Sequence, residues 1–342
     1  MNVTIKDVAK LANVSPSTVS RVITDHPRIS DRTKKRVREA MAELGYHPNI
    51  IARSLASQST KVIGVVMPGS ADLIFQNPFF PNVLRGLSES AHEHKYALQM
   101  TTGKNDDEIF FEVQQMVQGR RVDGIILLYS RTDDEIIKYL KKMNFPFVLI
   151  GRPHQNSDEI IHVDNNNFRA SKELTEYLLE LGHKRIGFIG GDIHLVVTVE
   201  RLLGYEKALR EAGIELRDDF IVHENFLLEG GSEAIHPLIQ LADRPTAIVV
   251  TDDLMTLGVL NTLAEHGIKV PDDMSVVSFN NVLFAELTTP PLTSVDIHIF
   301  TLGYEAMKNL FIKIKHPKEP SKRIIIPHEI VFRSSCKRYE GE

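Results

Sequence analysis

The sequence predicts an α/β protein: a small three-helix, helix-turn-helix head joined by a short hinge to a two-lobed body built on parallel sheets. Three observations carry this. Residues 1–46 hold three short amphipathic helical patterns. Residues 61–342 alternate strand-like apolar runs with helical stretches. Charge also divides the chain: residues 1–60 carry ten Lys/Arg against five Asp/Glu, a net of +5, whereas the whole chain is −5, leaving −10 for the remainder. A basic head on an acidic body predicts a polyanion partner for the head alone.

The first helical pattern opens at Thr4, a candidate N-cap with Asp7 three residues on, the carboxylate form of a capping box. Ile5, Val8, Ala9 and Ala12 then fall on one face. Asn13 occupies the turn, where a residue often enters the left-handed region that Asn tolerates. Ser15-Pro16 restarts a helix with an N-cap and Pro at N1, and Val19 and Val22 point its apolar face back. About three turn residues therefore join two short helices at a helix-turn-helix angle. The second helix, 15–23, exposes Ser17, Ser20 and Arg21. A third begins at Ser30, with Val37, Met41 and Leu44 on one face and Gly45 as its stop. An ordinary three-helix bundle is the bland alternative, and the charge argues against it. In YHPNIIARSLASQST, residues 46–60, Pro48 and Asn49 announce a helix of barely two turns whose apolar residues include Ile51, Ala52, Leu55 and Ala56. Alone it would be marginal in water, so it suits folding on a surface while also serving as a linker.

In the body, strand-like runs recur at KVIGVVMP, YALQMTTG, DGIILLYS, FPFVLIGR, KRIGFIGG, DFIVHE, TAIVVTDD and MSVVSFN. Their alternation with helices predicts parallel sheets covered on both faces. About 280 residues exceed one compact α/β layer and suit two similar lobes. Ligands of open α/β sheets bind beyond the carboxyl ends of the strands. Those ends are polar here: Arg152 follows VLIG, Asp252-Asp253 follow AIVVT, Asn280-Asn281 follow VVSF, and Arg201 begins RLLGYEKAL. Singly, the Asp pair reads as a helix N-cap and each arginine as a surface ion pair. Together they mark a candidate site between lobes.

DVAKLANVSPSTVSRVI, the LGYHPN junction and ARSLAS resemble the N-terminus of the lactose/galactose repressor (LacI/GalR) family of bacterial transcription regulators, and the resemblance covers the whole chain. Within that family, TIKDVAKLANVSPSTVSRVI, RISDRTKKRVREAMAELGYHPN and QNPFFPNVLRGL look most like maltose-operon repressors of Gram-positive bacteria. The resemblance implies a periplasmic-binding-protein-like body. It also implies a homodimer whose recognition helices enter the major groove of a double-stranded, pseudo-palindromic DNA operator while paired hinge helices open the central minor groove. The implied domains are a helix-turn-helix DNA-binding domain over 1–46, a hinge helix and linker over 47–60, and an effector-binding and dimerisation domain over 61–342. Each lobe is completed by chain that crosses back, with crossovers expected near Ile161, Pro291 and Ile325. One lobe would then hold 61–161 and 292–325, the other 162–291 and 326–342.

On the DNA side the resemblance sets Pro16, Ser17 and Arg21 against base edges. A guanidinium can bond G O6 and N7 together, which favours Arg21 as a base reader over its alternative role as a phosphate clamp. Ser15, Thr18 and Ser20 would cap the helix or touch phosphates, and Thr4, Arg28, Ser30, Tyr46, Asn49 and Ala52 complete the expected contact set. Leu55 matches the family's wedge leucine, inserted at a central base step to kink the duplex. In the cleft, Arg201 matches the arginine that grips effector hydroxyls or carboxylates, and Asp252 a polar strand-end contact. Phe226 in ENFLLEGGSEA matches a stacking aromatic, with Phe79 of NPFF facing it and Arg152 nearby. Aromatic faces with bidentate polar groups suit a sugar such as maltose, while core packing is the ordinary alternative for both Phe residues. Asn280 stands where several relatives carry an effector-binding Asp, and an amide, which both donates and accepts, is compatible with a neutral saccharide.

Other chemistry has little basis. The Gly cluster at 187–191 does not form G-x-G-x-x-G, so no nucleotide cofactor is expected. The fourteen His show no paired metal-ligand spacing; His92 and His94, two apart, would not share a helix face, and the histidines read as surface residues. A single Cys336 rules out an intramolecular disulfide, and neither a signal peptide nor an apolar run of about 18 residues occurs, which predicts a cytoplasmic protein with no membrane partner. No nucleophile or acid/base pair can be assigned at the cleft, so an enzyme is not expected. The expected function is repression of maltose-type sugar-utilisation genes, relieved by a saccharide between the lobes. The alternatives are a global catabolite regulator controlled by a phosphorylated carrier protein, and a sugar-binding protein whose head does not bind DNA. The ending VFRSSCKRYEGE has no Leu, Ile or Val in Arg333–Glu342 for a heptad seam, which predicts a dimer rather than a tetramer.

Overall fold

The structure is a computed structural model that describes residues 3–46, 59–69, 74–155 and 157–341. The hinge helix expected over 49–57, with Asn49, Ala52 and Leu55, lies outside the described residues. The head consists of α1 (Ile5–Leu11), α2 (Pro16–Ile23) and α3 (Asp31–Glu43). The Asp7 carboxylate accepts from the Thr4 backbone N–H at 2.9 Å and its hydroxyl at 2.7 Å. The Ser15 and Ser30 hydroxyls accept from the Thr18 and Thr33 N–H groups, so the two remaining helix starts are capped as expected. Asn13 takes the turn at φ 49° and Gly45 ends α3 at φ 61°, both left-handed. Val8, Ala9, Ala12, Val19, Val22, Val37 and Ala40 close a small core of their own.

The body holds two six-stranded sheets. β1 (Val62–Val66), β2 (Ala97–Met100), β3 (Gly124–Leu127), β4 (Phe147–Ile150) and β5 (His162–Asp164) build the first. β6 (Ile186–Gly190), β7 (Ile221–His223), β8 (Ala247–Val250), β9 (Ser275–Phe279) and β10 (Thr293–Asp296) build the second. Two late strands, β11 (Arg323–Ile325) and β12 (Glu329–Val331), complete one sheet each. The strand orders are β11-β5-β4-β3-β1-β2 and β12-β10-β9-β8-β6-β7. Every pairing is parallel except that of β12 with β10. All eight apolar runs read from the sequence become strands.

Two of the three crossovers fall later than the sequence boundaries placed them. β5 pairs with β4 and β11, so the first lobe continues past Ile161 to Asp164. β10 pairs with β9, so the second lobe continues past Pro291 to Asp296. The chain passes from β11 of the first sheet to β12 of the second between Ile325 and Glu329. Strands of three or four residues carry too little alternation to be assigned to a sheet from sequence, and only their main-chain partners decide it.

α4 (Phe79–Glu93), α5 (Asp106–Gln118) and α6 (Glu135–Lys142) flank the first sheet, and α7 (Asn167–Glu180), α8 (Val196–Glu211), α9 (Leu228–Gln240), α10 (Asp253–Glu265) and α11 (Leu283–Leu287) belong to the second lobe. α12 (Ile299–Lys315) then returns to pack on α4, β3, β4 and β5. An added Cβ on Gly86 would meet Phe300 O at 2.0 Å, and one on Gly303 would meet Val83 O at 2.2 Å. These two glycines therefore let α4 and α12 cross with their backbones touching. Buried residues of both sheets, from Ile63 and Val148 to Phe188 and Phe279, join one contiguous core.

The reading of the histidines as surface residues needs correction. His162 and His183 are buried. Both ring nitrogens of His183 are bonded, to Thr246 Oγ1 and Lys337 O, whereas His162 bonds Ile160 O through Nδ1 and its buried Nε2 has no partner among the described residues. Burial lowers both pKa values.

Candidate functional site

The head offers one polar face. On α2, Pro16, Ser17 and Arg21 are exposed, while Thr18 and Ser20 are half-buried. The Ser15 hydroxyl pairs with those of Ser17 and Thr18 at 2.8 and 2.9 Å, so it both caps the helix and organises its first turn. Lys34 and Arg38 are drawn to Asp25, whereas Arg21 makes no ion pair with any described residue. Thr4, Arg28 and Ser30 are exposed, and Tyr46 packs against the head's core. An exposed, uncommitted guanidinium on an outward helix can be aimed at an acceptor pair or a phosphate without first breaking a bond.

At the other end of the molecule, the carboxyl ends of the two sheets face each other across a cavity of about 150 Å³. Phe79, Arg152, Arg201, Phe226, Asp252 and Asn280 all line it, so the six cleft residues read from sequence converge. Arg201 projects from α8 and is buried. Its Nε donates to Asn167 Oδ1 at 3.0 Å and its Nη1 to Thr251 O at 2.6 Å, and the guanidinium stacks 4.2 Å from the Phe279 ring centroid. Burial pulls its pKa down to about 10, which still leaves a cation at neutral pH.

Asp252 fills two roles at once. Its Oδ1 caps α10 by accepting from the Leu254 and Met255 N–H groups at 2.8 and 3.2 Å. Its Oδ2 accepts from Asn280 Nδ2 at 2.8 Å and from Asn77 Nδ2 at 2.9 Å. The amide at 280 supplies a donor that a second carboxylate could not, which is the physical sense of Asn in that position. Asn280 holds it there with a φ of 100°, a conformation side chains rarely adopt. Burial raises the Asp252 pKa against the bonds from Asn77, Met255 and Leu254.

Phe79, Phe80, Tyr129 and Phe226 are the aromatic side chains among the described lining residues. The Phe226 ring lies on Gly191, where an added Cβ would stand 2.1 Å from Cζ. Phe79 sits edge-on to Phe80 at 5.2 Å. The lobes are also tied directly: Arg152 Nη1 meets Glu200 Oε1 at 3.0 Å, Thr132 N donates to His194 O at 2.9 Å, and Val196 N donates to Ser130 O at 3.0 Å.

Asn77, Ser130, Asp164, Asn167, Glu200 and Thr251 line the cavity too, and sequence reasoning did not select them. Burial, then the charge of Glu200, pushes the Asp164 carboxyl up to about 7. Asp164 Oδ2 and the Ser130 and Thr251 hydroxyls are buried without a hydrogen-bond partner among the described residues; Arg323 Nη2 stands 3.5 Å from that oxygen. The signal for Asp164 was present in HVDNNN, a polar run at the end of an apolar one. Among the described residues no group of three or more His, Cys, Asp or Glu could hold a metal ion, and no helix is long and apolar enough to cross a membrane.

A basic helix-turn-helix head on a two-lobed body with a polar and aromatic cleft defines a ligand-responsive DNA-binding regulator. Residues 4–49 match the model for bacterial regulatory proteins of the lacI family, and residues 175–336 match that for a periplasmic binding protein-like domain. The chain is 44% identical over 338 residues to the HTH-type transcriptional regulator MalR of Streptococcus pneumoniae, covering 97% of this chain and 99% of MalR. A LacI transcriptional regulator from Bacillus cereus subsp. cytotoxis is 51% identical, with a TM-score of 0.81 over 82% of this chain and 99% of that one. The lac repressor dimer bound to operator and the anti-inducer ONPF is 25% identical, with a TM-score of 0.86 over 98% of this chain and 100% of that one. This chain belongs to the lacI family of bacterial regulatory proteins. Like its relatives it is a DNA-binding transcription regulator and not an enzyme.

Proposed function

We propose that this regulator represses genes for use of a maltose-type sugar and leaves its operator when a neutral saccharide binds between the lobes. The observation that carries the reading is the cavity wall. Asp164 Oδ2, Ser130 and Thr251 offer buried polar atoms without partners, suited to sugar hydroxyls, and Phe79 and Phe226 offer ring faces to its C–H groups. Both arginines are engaged, Arg152 with Glu200 and Arg201 with Asn167 and Thr251, while Asp164, Glu200 and Asp252 line the same wall. A phosphate or carboxylate would meet that negative charge with no uncommitted cation among the described lining residues to balance it. Likeness to MalR supports maltose as the sugar class.

Effector action is a population shift. A saccharide held by both lobes closes or rotates them, changes how two copies meet, and moves the two linkers to a spacing the operator does not match. A hundredfold loss of operator affinity needs about 2.7 kcal/mol of differential binding, within reach of a few hydrogen bonds and a stacked ring. Large exposed apolar side chains, Met100 and Phe111 on the first lobe and Leu283 and Leu287 on the second, are surface that a second copy would cover in a C2 dimer. Such a dimer, working in the cytoplasm, places one head on each half of a pseudo-palindrome, with Pro16, Ser17 and Arg21 at base edges and Leu55 at the central step.

A thermal-shift screen of sugars and phosphosugars on the full chain, followed by operator binding with each hit, tests the reading. Maltose or a related neutral sugar should raise Tm and release DNA. Stabilisation by a phosphate ester alone, with neutral sugars inert, would sink the neutral-effector reading.

A further inference from the structure

The amino ends of β1, β2 and β3 form the edge of the first sheet opposite the cleft, and a clamp sits there that neither ligand nor base recognition uses. Asp123, one residue before β3, turns its carboxylate onto three successive residues leading into β1. Oδ1 accepts from the Thr60 N–H at 2.7 Å and the Thr60 hydroxyl at 2.8 Å, and Oδ2 accepts from the Ser59 hydroxyl and from the Lys61 N–H at 3.2 Å. Tyr96, one residue before β2, closes the other side. The Lys61 ammonium lies 4.4 Å from its ring centroid, and that ring packs 4.8 Å from Phe311 of α12.

Two further facts mark this junction. Lys61 has φ 57°, a left-handed backbone that a long side chain adopts only where surrounding bonds over-determine it. Half-burial works against the Asp123 charge, yet the bonds from Ser59, Thr60 and Lys61 prevail and hold its pKa below the ordinary value. β1 is already secured by main-chain pairing to β2 and β3. What the clamp adds is a fixed course for residues 59–61 as they enter β1.

We propose that Asp123 is a positioning residue for operator recognition: it sets where and at what angle the linker leaves the body, and thereby the spacing at which the two heads of a dimer meet their half-sites. This rests on the dimeric reading above. Each head alone touches phosphates wherever it lands, so non-specific binding does not need the clamp. Simultaneous engagement of two half-sites does, because linked binding is lost when geometry forbids it.

The test compares full-length wild type with Asp123→Asn, Asp123→Glu, Thr60→Val and the Asp123→Asn/Thr60→Val pair. The probes are a duplex selected by wild type from a randomised pool and a random duplex of equal length. Asp123→Asn should weaken the selected duplex by about tenfold or more while leaving the random duplex nearly unchanged and Tm close to wild type. Asp123→Glu should recover part of the loss, and the double variant should be no worse than Asp123→Asn, since both act through one bond network. Equal loss on both duplexes with a fallen Tm would make Asp123 merely structural, and unchanged selected-duplex affinity would remove the role. A single-chain mass by light scattering would overturn the dimer reading and this inference with it, and that failure is visible apart from the DNA data.

Discussion

Asn77 Nδ2 donates to Asp252 Oδ2 at 2.9 Å, so a side chain of the first lobe closes on the carboxylate that caps α10 in the second. The same amide also donates to Phe226 O at 3.3 Å, which ties lobe closure to the position of an aromatic wall of the cleft. A buried bond to a charged group contributes about 1.5–3 kcal/mol. Because the bond spans the two lobes, Asn77→Ala should weaken the arrangement in which they meet. The sugar concentration that half-releases the operator should therefore rise by about tenfold, measured by titrating sugar against operator binding, while the unliganded operator affinity stays close to wild type.

Arg21 is exposed and uncommitted, so its removal should cost recognition and little else. Arg21→Ala is expected to lose about 1–3 kcal/mol of specific binding while keeping most of its salt-dependent binding to random DNA. Equal loss on random DNA would demote Arg21 to a phosphate contact.

Phe226→Ala and Arg201→Ala separate the effector wall from the fold. Phe226 is half-buried and lies on Gly191, so its loss should abolish the response to sugar with operator affinity retained, giving permanent repression. Arg201 clamps α8 to Asn167 and Thr251, so Arg201→Ala should also cost stability, about 3 kcal/mol or more for a broken buried network. Denaturant midpoints and sugar titrations on the same preparations distinguish the two.

Two buried carboxyls should make stability depend on pH. Asp164 and Asp253 are each pushed up to about 7, chiefly by burial, from an unfolded value near 3.8. A raised folded-state pKa means the folded chain holds the proton more tightly, so this stability is full below about pH 4 and is lost as pH rises through 7. Asp164→Asn should be relatively more stable than wild type at pH 8 than at pH 5, by a few kcal/mol at most. Equal urea midpoint differences at the two pH values would contradict it.

Assembly is measurable directly. At micromolar concentration the full chain should scatter light as a species near twice 38.6 kDa and occupy one operator without looping DNA. A stable species of four chains would mean that a surface on the lobes joins dimers.

Much of this molecule was legible in its sequence because the deciding physics is local. Thr4 with Asp7, Asn13, Ser15-Pro16, Ser30 and Gly45 cap and turn the head through bonds spanning a few residues, and long apolar runs such as AIVVT declare themselves as strands. Arg152, Asp252 and Asn280 were readable for the same reason, as polarity at the ends of such runs, whereas Phe79 and Phe226 were legible only through resemblance to the family. Membership of β5 and β10 was not legible, because partners distant in sequence choose a three- or four-residue strand. Nor was the clamp of Asp123 on residues 59–61, or the pairing of Asn77 with Asp252 and of Arg152 with Glu200. In each of these the bonded groups stand some 48 to 175 positions apart, and only the folded sheets bring them within a hydrogen bond. The sequence by itself determined the elements and the chemistry available at their ends; the tertiary structure alone decided which of those ends meet, since that depends on how two sheets pack across chain that crosses between them three times.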